Sequence, residues 1–96
     1  MIRDFADAAT GDVFHGANTN AARSIPKILW PAVRRKLDMV NAAIGVQDLR
    51  VPPGNHLEAL KDDQVGRWSI RVNQQYRITF RFENTNAFEV CCEDYH

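Results

Sequence analysis

The segment from Lys61 to Arg81 holds five bases, Lys61, Arg67, Arg71, Arg77 and Arg81, against two acids, Asp62 and Asp63, and the last residues read Asp94-Tyr95-His96. Lysine, arginine, tyrosine and histidine are suitable parts for cutting RNA without a metal. Such cleavage needs a base to take the 2′-hydroxyl proton, a cation to neutralise the pentacovalent phosphate and an acid to protonate the departing 5′-oxygen. His96 titrates nearest neutral pH and suits either proton role, its free α-carboxylate favouring the imidazolium. Lys61 is expected to be ringed by Arg67, Arg71 and Arg77, which would push its amine toward the neutral form and fit it as base or electrostatic clamp. Arg77 is the choice for the scissile phosphate. Tyr95 either stacks on a nucleobase or donates its proton, whereas Trp68 reads as core.

Other reactive side chains carry less. His15 reads as a surface or capping histidine, and His56, in Gly54-Asn55-His56-Leu57-Glu58, is balanced between loop packing and the site. The three histidines share no short spacing and Cys91-Cys92 is not Cys-x-x-Cys, so no metal site is expected. Neighbours on a strand point to opposite faces, which makes a mutual disulfide improbable and leaves both cysteines as reduced packing residues. With no glycine-rich phosphate loop and no Gly-x-Ser-x-Gly, no cofactor is expected.

The chain that must position these residues has 96 of them, 12 basic and 12 acidic, and 45% are hydrophobic. That supports one domain over residues 1–96 and leaves no room for a large multi-domain enzyme. No run approaches the roughly 20 apolar residues of a membrane span, and Met1-Ile2-Arg3-Asp4 lacks a signal-peptide core, so the expected location is the cytoplasm, with no membrane partner. The zero net charge argues against nucleic-acid binding only if averaged over the chain; the bases cluster.

Helical periodicity fills the first half. Phe5, Ala8, Ala9, Val13 and Phe14 predict a short helix closed by Gly16. Val33, Leu37, Val40 and Ile44 stripe a second helix with Pro31 in its first turn and Gly45 at its end, after an irregular turn over residues 25–29. Residues 51–66 read as an ordered loop packed by Leu57 and Leu60. After Gly66 the period becomes two, predicting strands at 68–72, 76–82 and 88–92, with residues 2–5 as a possible fourth. Alternation assigns Trp68, Ile70, Val72, Tyr76, Ile78, Phe80, Phe82, Phe88, Val90 and Cys92 to the face the helices cover. The fold class is therefore α+β, two N-terminal helices packed on one face of a three- to four-stranded antiparallel sheet.

Register decides where the arginines go. A three-residue loop, Asn73-Gln74-Gln75, aligns the apolar sets, and it then sets Arg71 against Arg77 and Arg67 against Arg81. Like charges directly across a ladder repel by about 0.2–1 kcal/mol, so two such pairs on one face imply an anion. A five-residue second loop, 83–87, would put Glu89 opposite Arg81 and Glu93 opposite Arg77. The bland alternative is that these glutamates merely make a solvated salt-bridge face.

The run Pro52-Pro53-Gly54-Asn55-His56-Leu57-Glu58-Ala59-Leu60-Lys61, then Gly66, Trp68-Ser69-Ile70-Arg71-Val72-Asn73, Gln75-Tyr76-Arg77-Ile78 and Asp94-Tyr95-His96, resembles the HigB-type toxins of the RelE superfamily. Arg35-Lys36-Leu37 and Ala42-Ala43 of the second helix fit as well. The resemblance implies a RelE-like toxin of a bacterial type II toxin–antitoxin pair that cuts mRNA in the A site of the small ribosomal subunit by 2′-hydroxyl attack, inhibiting translation and growth. It also implies a HigA-like helix-turn-helix antitoxin as partner, with operator DNA reached only through that antitoxin. Carried over by position, Lys61 would be the catalytic lysine, Arg77 the phosphate-binding arginine and His96 the C-terminal histidine. Arg71, Asp94 and Tyr95 support them.

Two positions depart from the family pattern. Some relatives carry a histidine three residues before the lysine, where this chain has Glu58; either Glu58 or His56 substitutes, or the role is dispensable. Relatives usually have glycine after the lysine, and here Asp62 stands there, whose carboxylate would damp the lysine's field. The alternative function is a catalytically weak or inactive module of the same fold that binds RNA, the ribosome or an antitoxin, and after it a purely structural interaction protein.

Overall fold

The computed structural model describes residues 1–95. Helix α1, Ala8–Phe14, begins where the Asp7 carboxylate accepts the Thr10 amide at 2.9 Å, and ends before Gly16, whose φ of +76° suits a residue without a side chain. Helix α2, Trp30–Ala42, starts with Pro31 in its first turn, after a 3-10 turn at Lys27–Leu29. It buries Trp30, Val33, Leu37 and Val40, and Trp30 Nε1 donates to the Ile25 carbonyl at 2.8 Å. The helix stops at Ala42 rather than Gly45, because Ala43 is already extended; Ile44 consequently leaves the stripe and is 74% exposed.

Four strands form one antiparallel sheet in the order β1 (Glu58–Ala59), β2 (Arg67–Arg71), β3 (Tyr76–Glu83), β4 (Asn86–Asp94). The fourth strand is β1, in the segment expected to be a loop. Residues 2–5 instead make only isolated parallel bridges, Ile2 to Ala87 and Phe5 to Val90. The β2–β3 hairpin has the predicted register: Trp68 faces Phe80, Ile70 faces Ile78, Arg71 faces Arg77 and Arg67 faces Arg81. Ile70, Ile78, Phe80, Ala87 and Val90 are fully buried and share one core with Val13, Val33, Leu37, Val40 and Leu49.

The β3–β4 pairing differs from expectation. Asn84 and Thr85 alone make the turn, with Asn84 at φ +56°, and the register shifts by one between Thr79 and Arg81. A β-bulge at Glu89, φ +52°, takes up the extra residue. Beyond the bulge the faces of β4 are exchanged. Ala87 takes the core position opposite Phe82, while Phe88 lies opposite Arg81 with its ring 4.7 Å from that guanidinium. Glu89 therefore does not face Arg81 in the ladder, although Glu93 does face Arg77. The Asp4 carboxylate accepts the Glu89 amide and ties the N-terminal segment to the bulge.

Candidate active site

Odd-numbered residues of β2 and β3 line the polar face. The alternation carries Arg67, Ser69 and Arg71 beside Arg81, Thr79 and Arg77, with Cys91 and Glu93 next in the ladder. The four arginines share this face but form two separate pairs, about 13 Å apart along the strands at four residues' rise. Arg67 and Arg81 both reach Glu89, at 3.3 and 3.6 Å, and Arg81 also pairs with Glu83. This end is neutralised within the fold, so the expected single cluster of four guanidinium groups is not formed.

The other pair lies where β1 meets the sheet. Arg77 is 8% exposed. Its Nη1 donates to Ser69 Oγ at 3.0 Å and meets Glu58 Oε1 at 3.2 Å, and the Tyr95 ring lies 4.6 Å from its guanidinium carbon. Ser69, fully buried, is a site residue that sequence reasoning passed over; its place on the arginine side of the alternation was the available signal. Arg71 lines the same open cleft, of about 350 Å³, with His56, Leu57, Glu58 and Arg77. His56 has φ +46° and is exposed on the way into β1. Asp94 accepts from Gln75 Nε2 at 3.0 Å, at the end of β4.

Lys61 lines a second cleft, of about 420 Å³, with Glu58, Asp62, Thr79, Glu93 and Tyr95. Glu58 is common to both clefts and stands between them. Among the described residues lining the Lys61 cleft, the charged neighbours of the lysine are the carboxylates of Glu58, Asp62 and Glu93, where the sequence predicts Arg67, Arg71 and Arg77. Thr79 and Glu93 of this cleft belong to the polar face of β3 and β4, so the Lys61 cleft opens on the same face as the arginines. His96 lies outside the described residues.

A family model described as the RelE-like toxin of the type II toxin–antitoxin system HigB matches residues 3–96. The chain belongs to the HigB-like toxin family. This HigB-like chain is 47% identical over 60 residues to the Vibrio cholerae protein named Toxin HigB-1, covering 62% of the chain and 63% of that relative. It is 50% identical over 40 residues to Endoribonuclease HigB of Proteus vulgaris, covering 42% of the chain and 44% of that relative. The matches thus span less than two thirds of either relative's length. In fold it is similar to a chain of the YoeB-YefM complex from Staphylococcus aureus, with a TM-score of 0.63, 18% identity and coverage of 100% of this chain and 95% of that one. A YoeB/ParE toxin from Agrobacterium tumefaciens is a further structural neighbour, with a TM-score of 0.54, 13% identity and coverage of 94% of each chain.

Backbone geometry accounts for one departure in this HigB-like chain. Asp62 has φ +60°, the left-handed region that glycine enters freely, and aspartate is among the few side chains that tolerate it. The two thiols take no part in the site. Burial, reinforced by Asp7, pushes both Cys91 and Cys92 up to about 12, and the Cys91 thiol donates to Asp7 at 3.4 Å. His15 caps the C-terminal end of α1 and meets Phe5 and Phe14 edge-on. Among the described residues, no helix is long and apolar enough to cross a membrane.

Proposed function

We propose that this chain is a metal-independent endoribonuclease that cleaves mRNA in the ribosomal A site by 2′-hydroxyl attack, as the toxin of a type II toxin–antitoxin pair. The observation that carries the reading is Arg77. A guanidinium that is nearly buried, fixed by Ser69 and stacked by Tyr95, yet opening on a cleft with Arg71, is a preorganised phosphate clamp. In the mechanism, Arg77 neutralises the developing phosphorane charge with Arg71 beside it. Lys61, across the Glu58 wall, is the clamp or base; His96 supplies the other proton transfer, with Glu58 or His56 in the position of the family histidine. Asp94 and Tyr95 support the site from the end of the last strand, and Arg67 and Arg81 would extend the RNA path only by exchanging their Glu89 and Glu83 partners for phosphate.

The whole chain, 1–96, acts as one domain with its two helices layered on the apolar sheet face, and works in the bacterial cytoplasm. Its partner is a HigA-like helix-turn-helix antitoxin, through which alone it reaches operator DNA. A second reading, a catalytically weak module, is favoured by the acids at the site: Glu58 already pairs with Arg77, and Asp62 lies beside Lys61. Inducing the chain in a bacterial host, with and without Arg77→Ala, and mapping transcript 5′ ends separates the two. The nuclease reading expects growth arrest and new ends within open reading frames for the native chain, both lost in a variant that still melts cooperatively. Arrest without new ends would favour the binding module.

A further inference from the structure

We propose that the Lys61 cleft binds the base of one RNA nucleotide and that Glu93 selects guanine there; this rests on the ribonuclease reading above. Away from Lys61, the cleft's charge is wrong for phosphate. Its lining sets Glu58, Asp62 and Glu93 against Lys61, while Arg71 and Arg77 line the neighbouring cleft on the other side of Glu58. A nucleotide lying across that wall puts its phosphate on the arginines and its neutral base among the carboxylates. At about 420 Å³ the cleft is of the size that small organic ligands occupy. Tyr95 on its rim offers a ring for stacking, already braced by the Arg77 guanidinium.

Glu93 is held for recognition. Thr79, 1% exposed, accepts from Arg67 Nη2 at 3.2 Å, which leaves its hydroxyl proton to the Glu93 carboxylate. A fixed carboxylate only accepts hydrogen bonds. Guanine offers it two parallel donors, N1–H and the N2 amino group. Adenine and cytosine each set an acceptor beside their amino group, and uracil flanks its single N–H with two carbonyls. The bidentate match belongs to guanine, and uracil is repelled.

The test maps cleavage sites in a bacterial host expressing the full chain, its Arg77→Ala control and Glu93→Gln. The native chain should enrich guanine at one fixed position relative to the cut by about 10-fold, the scale of one bidentate base contact. Glu93→Gln, whose amide presents one acceptor and one donor, matches a donor–acceptor pair that every base carries, so the guanine enrichment should fall toward parity. Arg77-dependent cuts with no guanine enrichment, or an enrichment unmoved by Glu93→Gln, would overturn the guanine cleft while leaving the nuclease intact. Absence of any Arg77-dependent cut would overturn the nuclease and the cleft with it. Should Glu93→Gln fail to accumulate, the native spectrum alone decides.

Discussion

Glu58→Gln should make the protein bind RNA more tightly. Glu58 Oε1 lies 3.2 Å from Arg77 Nη1, and the two side chains are 54% and 10% exposed. A pair with one partner so open to water contributes less than about 1 kcal/mol to stability, so the variant should fold and melt within a few degrees of the native chain. RNA binding feels two changes of the same sign. The phosphate no longer displaces an internal partner from Arg77, and a negative charge standing about 6 Å from it disappears, worth about 0.7 kcal/mol in a water-like medium. Discounted for exposure, these give roughly 3- to 10-fold higher affinity. Fluorescence anisotropy with a 2′-O-methyl RNA, which lacks the attacking hydroxyl, reads binding free of turnover, and the gain should shrink as salt is raised. Unchanged or weaker binding would refute the argument, because it would mean Glu58 holds Arg77 in its working position rather than occupying it.

Three further outcomes follow from particular contacts. Asn55, fully buried, donates to the Leu49 and Val51 carbonyls at 3.2 and 3.4 Å and accepts from Lys36 Nζ at 2.6 Å. Asn55→Ala should therefore cost about 2–3 kcal/mol, a fall in melting temperature of roughly 10–20 °C by calorimetry. Tyr95→Phe keeps the ring on Arg77 and should bind RNA within about twofold of the native chain, whereas Tyr95→Ala should weaken binding roughly 5- to 10-fold, as loss of one stacking contact does. Both thiols stay protonated in the folded chain to about pH 12, against an ordinary value of 9.0. Unfolding then releases protons between those values, so chemical-denaturation midpoints should fall as pH rises from 9 toward 12. At pH 8 an aromatic disulfide reagent should react quickly only after denaturant is added.

Sequence pattern revealed the parts of the fold governed by period and parity. The β2–β3 register followed from two apolar triplets and an odd loop, and it put Arg71 beside Arg77 without further information. Ladder pairing does not settle where a charge ends up, and the second arginine pair is quenched by Glu89 through side-chain reach rather than cross-strand position. The bulge was not legible because a glutamate at φ +52° has no residue-type signature, and the alternation ran on past it to place Phe88 in the core. A two-residue strand has no period to detect, so β1 read as loop. The Ile44 error has the same origin: a stripe carries no mark of where the helix stops.

The central claim is that Arg77 steadies a phosphate attacked by the neighbouring 2′-hydroxyl, and the chemistry of the cut ends tests it most directly. Such attack leaves a 2′,3′-cyclic phosphate on one fragment and a 5′-hydroxyl on the other. RNA recovered from translating ribosomes after induction should carry those ends, and Arg77→Ala should remove them. Ends bearing 5′-phosphate and 3′-hydroxyl, or cyclic-phosphate ends undiminished in the Arg77→Ala protein, would contradict the account.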